Sequence, residues 1–317
     1  MGVHGIIVGH AGDVMVALSK RPLRDGDFVS TVNPTAVKRW IALEMKRLRE
    51  AAGYDRATAA ERIGKATTVI AHIETMRNLP APADLEILLN FYGVPDRAPF
   101  FLDMTRRAKR GRDWWFKFNR AVPEWFTLYL GLETGAARIN TVDLNALPGL
   151  FQTRDYARAI MLEGRKWSSE AELEAMVDLR MARQEILDRP EDAPQIWSIL
   201  DESVLRRQIG GPAVMREQLQ HLIDLSERPK IDIQVLPFSA GAHGASDGMF
   251  VILTYPPEFR GDPGTVYVEN RREGLYYESA AALLDFRNTF ERLQVQAENP
   301  QRSRDLIRDL VKELDVH

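Results

Sequence analysis

The chain has 317 residues, of which 45% are hydrophobic and 27% charged, with a formal net charge of -3 at pH 7. This is ordinary globular composition with room for two domains, and no apolar run reaches the length that spans a bilayer. The lack of any cysteine excludes disulfides, zinc–thiolate sites, iron–sulfur clusters and thiol catalysis. A reducing cytoplasm fits, and no membrane partner is expected. Charge is divided unevenly. Residues 34–112 carry 15 Lys and Arg against 9 Asp and Glu, whereas 113–317 carry 24 against 33. A basic head on an acidic body is the balance expected of a chain that binds a polyanion.

Residues 1–33 read as a disordered leader: they show no sustained hydrophobic period and lack the ordered parts of a signal peptide. Val29 is what an internal GTG start codon would be read as, so the first 28 residues are expected to be a dispensable extension. The rival is a working arm with Lys20, Arg21 and Arg24 on phosphates.

From Pro34 to Ala52, Val37, Ile41, Met45 and Leu48 recur at helical spacing, and Gly53 closes the helix. A short helix follows from Arg56 to Ile63, capped by Asp55, then Gly64, then a helix from Ala66 to Met76. The stretch Ala83–Tyr92 is the next amphipathic helix, and Arg106, Arg107, Lys109, Arg110 and Arg112 form a basic run before Trp114. That run is either a solvated linker or a second phosphate contact.

The head is placed at 34–112 and the body at 113–317. In the body, Glu124–Ala137 and Gln152–Met161 read as helices with an extended piece at Arg138–Leu144 between them. Ser168–Asp188 reads as a longer helix capped by Ser168, with Glu170 and Glu172 suited to the positive end of its dipole. Strands are expected at Trp197–Leu200, Ile231–Leu236, Met249–Tyr255, Thr265–Glu269 and Gly274–Tyr277. Helices are expected at Pro212–Glu227, Ser279–Ala297 and Gln301–Leu314. The fold class is therefore α+β: an all-helical head joined to a mixed α+β C-terminal domain.

The strongest constellation lies at 56–77. Two helices crossing at a steep angle need a small residue at their approach, which Ala60 supplies, and Gly64 tolerates the positive φ of a tight turn. Ile63, Ile70 and Ile73 would pin the second helix inward. Its outer face then offers Thr67, Thr68, Ala71 and His72 to base edges in a major groove. Arg56, Lys65, Arg77 and Asn78 stand near helix ends, where they would meet phosphates.

The segments Leu48–Gly53, Ala59–Gly64 and Ile73–Thr75 resemble the XRE-type helix-turn-helix of phage repressors and many bacterial regulators. The chain departs from that pattern at Asp55-Arg56, where Ser-Gln is usual, at Lys65-Ala66, and at Met76, where glycine is usual. No Gln, Asn or Arg occupies the expected reading positions. Further on, Val122–Phe126, Leu147–Thr153, Asp155–Ala159, Arg180–Leu187, Asp201–Arg207 and Gln234–Phe238 are similar to the large C-terminal domain of actinobacterial XRE-type regulators, over roughly 36–312. The resemblance implies a regulator of antitoxin-like kind, often encoded beside a small partner protein that it is thought to bind.

Enzymatic motifs fail in turn. No glycine-rich phosphate loop, nucleophile elbow or zinc-protease helix motif occurs, and His4, His10, His221, His243 and His317 show no metal-ligand spacing. No catalytic residue, cofactor or metal is expected. His243, in Gly241–Ala245, lines a pocket or holds a tight turn, and Asp201, Glu202 and Glu269 lack a catalytic partner. Phe151 and Phe238 stand in loops able to bind a partner, but plugging the core is the favoured reading for both; of Tyr276 and Tyr277, one should face in and one out. The expected function is a DNA-binding transcriptional regulator on double-stranded DNA, a homodimer with a body that receives a protein or small-molecule signal. The alternatives are an antitoxin that neutralises a small neighbour-encoded protein and regulates its own operon, or an enzyme with a DNA-targeting module.

Overall fold

In the computed structural model, which describes residues 33–118, 122–164 and 167–315, the first defined residue already has a local task. The Asn33 side chain accepts a hydrogen bond from the Ala36 N–H and starts α1 (Pro34–Ala51), with Pro34 in the first turn, where it has no N–H to waste. The expected leader and the Val29 start otherwise lie outside the described residues.

Four more helices complete the head: α2 (Arg56–Arg62), α3 (Thr67–Glu74), α4 (Pro82–Phe91) and α5 (Ala98–Arg110). The last corrects the sequence reading, which left this stretch without an element and treated its basic end as a possible linker. Phe101, Met104, Thr105 and Ala108 form a buried stripe at three- and four-residue spacing. The prolines before it and the charges opposite obscure that stripe in the sequence.

The body begins with α6 (Glu124–Thr134) and β1 (Arg138–Asp143), then α7 (Arg154–Gly164) and α8 (Glu170–Arg183). Ser169 caps α8 by accepting from the Glu172 N–H, one residue later than the expected Ser168. Beyond Arg183 the chain tightens into a 3-10 turn, so the expected helix to Asp188 is split. Next come β2 (Gln195–Asp201), α9 (Glu202–Arg206), α10 (Pro212–Ser226) and β3 (Ile231–Leu236). The chain closes with β4 (Phe250–Thr254), β5 (Thr265–Glu269), β6 (Gly274–Tyr277), α11 (Ala280–Gln296) and α12 (Pro300–Asp315). No helix among the described residues is long and apolar enough to cross a membrane.

One six-stranded sheet runs β3-β2-β1-β4-β5-β6. β1, β2 and β3 are parallel, with Ile139 opposite Ile196 and Ile196 opposite Ile231. β4 lies antiparallel on the other side of β1, and β5 and β6 continue antiparallel. Alternation supplies two apolar faces. Ile139, Ile196, Ile233 and Leu253 join the core shared with α10 and α12, while Val142, Ile199, Ile252 and Val266 pack with Leu283, Phe290 and Leu293 of α11. The fold is α+β. Phe151 is fully buried, but Phe238 is 59% exposed, because Pro237 carries the chain out of the sheet into a surface turn. Only the first of the two therefore plugs the core. Tyr276 is half-buried and Tyr277 more exposed, as alternation requires.

The head packs directly on the body through α1. Arg39 is 2% exposed, and its guanidinium donates to Asp262 and Glu278, each at 2.5 Å, and to the Gly264 carbonyl at 2.8 Å. It also stacks 4.7 Å over the Tyr255 ring. Beside it, Trp40 stacks on Phe259 and donates to the Arg260 carbonyl. Along the same helix, Gly131 of α6 and Gly135 just after it let α1 approach closely: a Cβ at either would lie 2.4 Å from Thr35 or Ala36.

Arg39→Met should cost about 3–5 kcal/mol in urea unfolding, because it leaves the Asp262 carboxylate buried and unpaired. Adding Asp262→Asn should recover part of that loss.

A second buried group gives a pH signature. Asp143, at the end of β1, accepts from the Thr141 hydroxyl, and burial pushes its carboxyl up to about 7, against the opposing bonds from Thr141 and Ser198. An acid held above its unfolded value binds more protons when folded. Its contribution to stability is therefore full below the unfolded value of 3.8 and is lost as pH rises toward 7. Asp143→Asn should flatten the fall in unfolding free energy between those limits, by a few kcal/mol at most (~1.4 per unit). Equal pH slopes for both proteins would contradict it.

Candidate nucleic-acid interface

The recognition geometry is built from α2, its turn and α3. Asp55 caps α2 by accepting from the Thr58 N–H at 2.7 Å. Ala59 and Ala60 are buried where the helices meet, and Gly64 turns the chain at φ +64°. Ile70 and Ile73 face the core, and Ile63 packs partly against it. A left-handed residue also ends α3, and it is Met76, at φ +62°, where the resembled pattern has glycine.

A buried charge node orients these helices. Glu74, with its side chain 1% exposed, takes both Arg49, through Nε at 2.5 Å and Nη2 at 3.1 Å, and Arg56 at 2.7 Å. Arg49 also donates to the Tyr54 carbonyl, tying the end of α1 to the next loop. The hydrogen bonds that Arg49 donates to Glu74 hold its guanidinium above the usual value, against the desolvation that lowers it. Reading the sequence by motif missed this node. Arg49 stands four residues after Met45 and Glu74 four after Ile70, on otherwise buried faces, where charges persist only when paired. That spacing was the available signal.

The eight expected DNA-facing residues divide into two sets. Thr67 and Thr68 are exposed on α3, with Ala71 and His72 half-buried one turn later, and Arg77 and Asn78 are exposed just beyond the helix. Among the described residues, none of these polar side chains has a hydrogen-bond or ion-pair partner. Arg56 is instead held by Glu74, and Lys65 by Asp84 of α4. Their charges are partly answered inside the head, so Arg77 offers the more available cation. Ala66 gives α3 no side-chain cap, which leaves the positive end of that helix open to a phosphate.

A short helix whose inner face is pinned and whose outer face carries small and polar groups can enter a major groove. The fold and the site thus define a helix-turn-helix protein. Residues 40–100 match a family of helix-turn-helix domains, which points to DNA binding. Residues 126–309 match a family described as a domain of unknown function (DUF5753), and the chain, more than half of which this match spans, belongs to it. No curated protein and no solved structure matches the chain.

Gly64→Ala tests the turn cleanly. A Cβ there meets nothing within 4 Å, so only the left-handed backbone should resist it, at about 1–2 kcal/mol in urea unfolding. A neutral substitution would mean that the turn carries no conformational requirement.

Proposed function

We propose that the chain is a sequence-specific transcriptional regulator of XRE type, acting in the cytoplasm as a dimer rather than as an enzyme. The observation that carries this reading is the outer face of α3. Thr67, Thr68 and His72 are held without partners on a basic head, beside an available Arg77. An eight-residue helix reaches only a few base pairs. Two copies on half-sites about 10 base pairs apart would supply the length that specificity requires.

The body supports a signalling role through its packing. α6 backs directly onto α1, so a change in the body is transmitted to the head through contact rather than along a tether. Such a regulator needs no catalytic group, and its output is the affinity of the head for its operator.

Selection from random duplexes with the full chain should return a two-fold sequence. On that duplex, His72→Ala should lower the preference over random DNA by ~1–3 kcal/mol. Arg77→Ala should weaken both equally and reduce the slope of log affinity against log salt by about one. If His72→Ala weakened specific and random DNA alike, the assignment of α3 would be wrong.

A further inference from the structure

A cavity lies under α6 and α8 in the body. It lies at the carboxyl end of β1, beside the amino end of antiparallel β4, with Thr141, Asp143, Met249 and Phe250 in its lining. Its volume is about 600 Å³, within the range that takes a small organic molecule. The wall from α6 is aromatic: Trp125, Phe126 and Tyr129 line it, and Tyr129 packs 4.1 Å from Tyr267 of β5.

Two arginines of α8 line the same cavity with different fates. Arg183 is neutralised by Glu133, with Nη2 at 2.6 Å from the carboxylate, and it lies over the Tyr129 ring. Arg180, one turn earlier, donates only to the Gln152 side chain, at 2.6 Å, and pairs with no carboxylate among the described residues. Burial pulls its guanidinium down to about 10, and Arg183 adds to the effect. Gly149 keeps the loop close over both: a Cβ there would lie 2.9 Å from Nη1 of Arg183 and 3.2 Å from Cδ of Arg180. A half-buried cation with most of its donors unused has room for an anion to complete it.

We propose that this cavity binds a small aromatic monocarboxylate, its ring against Trp125, Phe126 and Tyr129 and its carboxylate on the guanidinium of Arg180. One uncompensated guanidinium matches one negative charge, and its planar fork matches a carboxylate. A dianionic phosphate is disfavoured by Glu133 and the buried Asp143 inside, while the exposed Glu269 and Arg271 offset one another at the mouth. Because α6 carries the aromatic wall on one face and meets α1 on another, filling the cavity shifts the seat of the head. That last consequence rests on the regulator reading; the binding site does not.

Isothermal titration of the full chain with naphthalene-1-acetate, naphthalene-1-acetamide and 1-naphthyl phosphate tests the class without any substitution. The acid should bind at least tenfold more tightly than the amide or the phosphate, a difference of roughly 1.4 kcal/mol. Arg180→Gln should abolish that preference, while Arg154→Gln, on the outer surface of α7, should retain it. Equal affinity for acid and amide, tighter binding of the phosphate, or no heat from the acid at about 1 mM would overturn the proposal. DNA affinity is measured in parallel. Acid binding that leaves DNA affinity unchanged keeps the site and removes its regulatory role; DNA binding with no acid binding removes the site and leaves the regulator reading standing.

Discussion

A single buried guanidinium determines how the two halves of the protein meet. Arg39 sits mid-way along α1, and nearly every donor it owns is used by the body: Asp262, Glu278 and the Gly264 carbonyl. A charge taken out of water this completely is tolerable only with all of its partners in place, so the contact has one geometry. Trp40 and Phe259 seal it on one side, and the close approach of Gly131 and Gly135 to α1 extends it along the helix. α1 therefore lies in one core that runs from head to body, and its apolar positions Ile41, Met45 and Leu48 share that core with Ile70 and Ile73 of α3.

The same economy of buried charge recurs inside the head. Glu74 gathers Arg49 and Arg56 and so couples α1, α2 and the end of α3. The helices are held from within, and the outer face of α3 has no structural duty. This separation suits a DNA reader, because residues that specify bases can vary without loosening the fold that presents them. It also distinguishes the basic residues by availability. Arg56 and Lys65 are partly committed to Glu74 and Asp84, whereas Arg77 is not.

The parallel run β1-β2-β3 and the antiparallel run β4-β5-β6 meet at β1 and β4, with a cavity at the carboxyl end of β1. α6 and α8 roof the gap, with aromatic rings on one side and two arginines on the other. Arg180 and Arg183, three residues apart, lie on one face of α8, yet Glu133 reaches only the second. Which of the two arginines is paired is decided by a carboxylate fifty residues away.

Local features were legible in the sequence alone. Asp55 as a cap, Gly64 at positive φ, Ala60 at the crossing and the alternation of Ile231–Leu236 all depend on near neighbours. Each was read correctly for that reason. The outer face of α3 was also legible, since helical spacing separates Thr67, Thr68, Ala71 and His72 from Ile70 and Ile73. What spacing could not give was the identity of partners distant in the chain. Arg39 and Asp262 are 223 residues apart, and nothing near either residue indicates the other. Phe151 and Phe238 look alike in sequence, but only the path of the chain after Pro237 sends the second to the surface. Periodicity records which face of an element is apolar. Which charge, ring or cavity that element meets depends on how elements pack, and this was decided only in the tertiary structure, because buried charges and cavities are properties of surfaces brought together from remote parts of the chain.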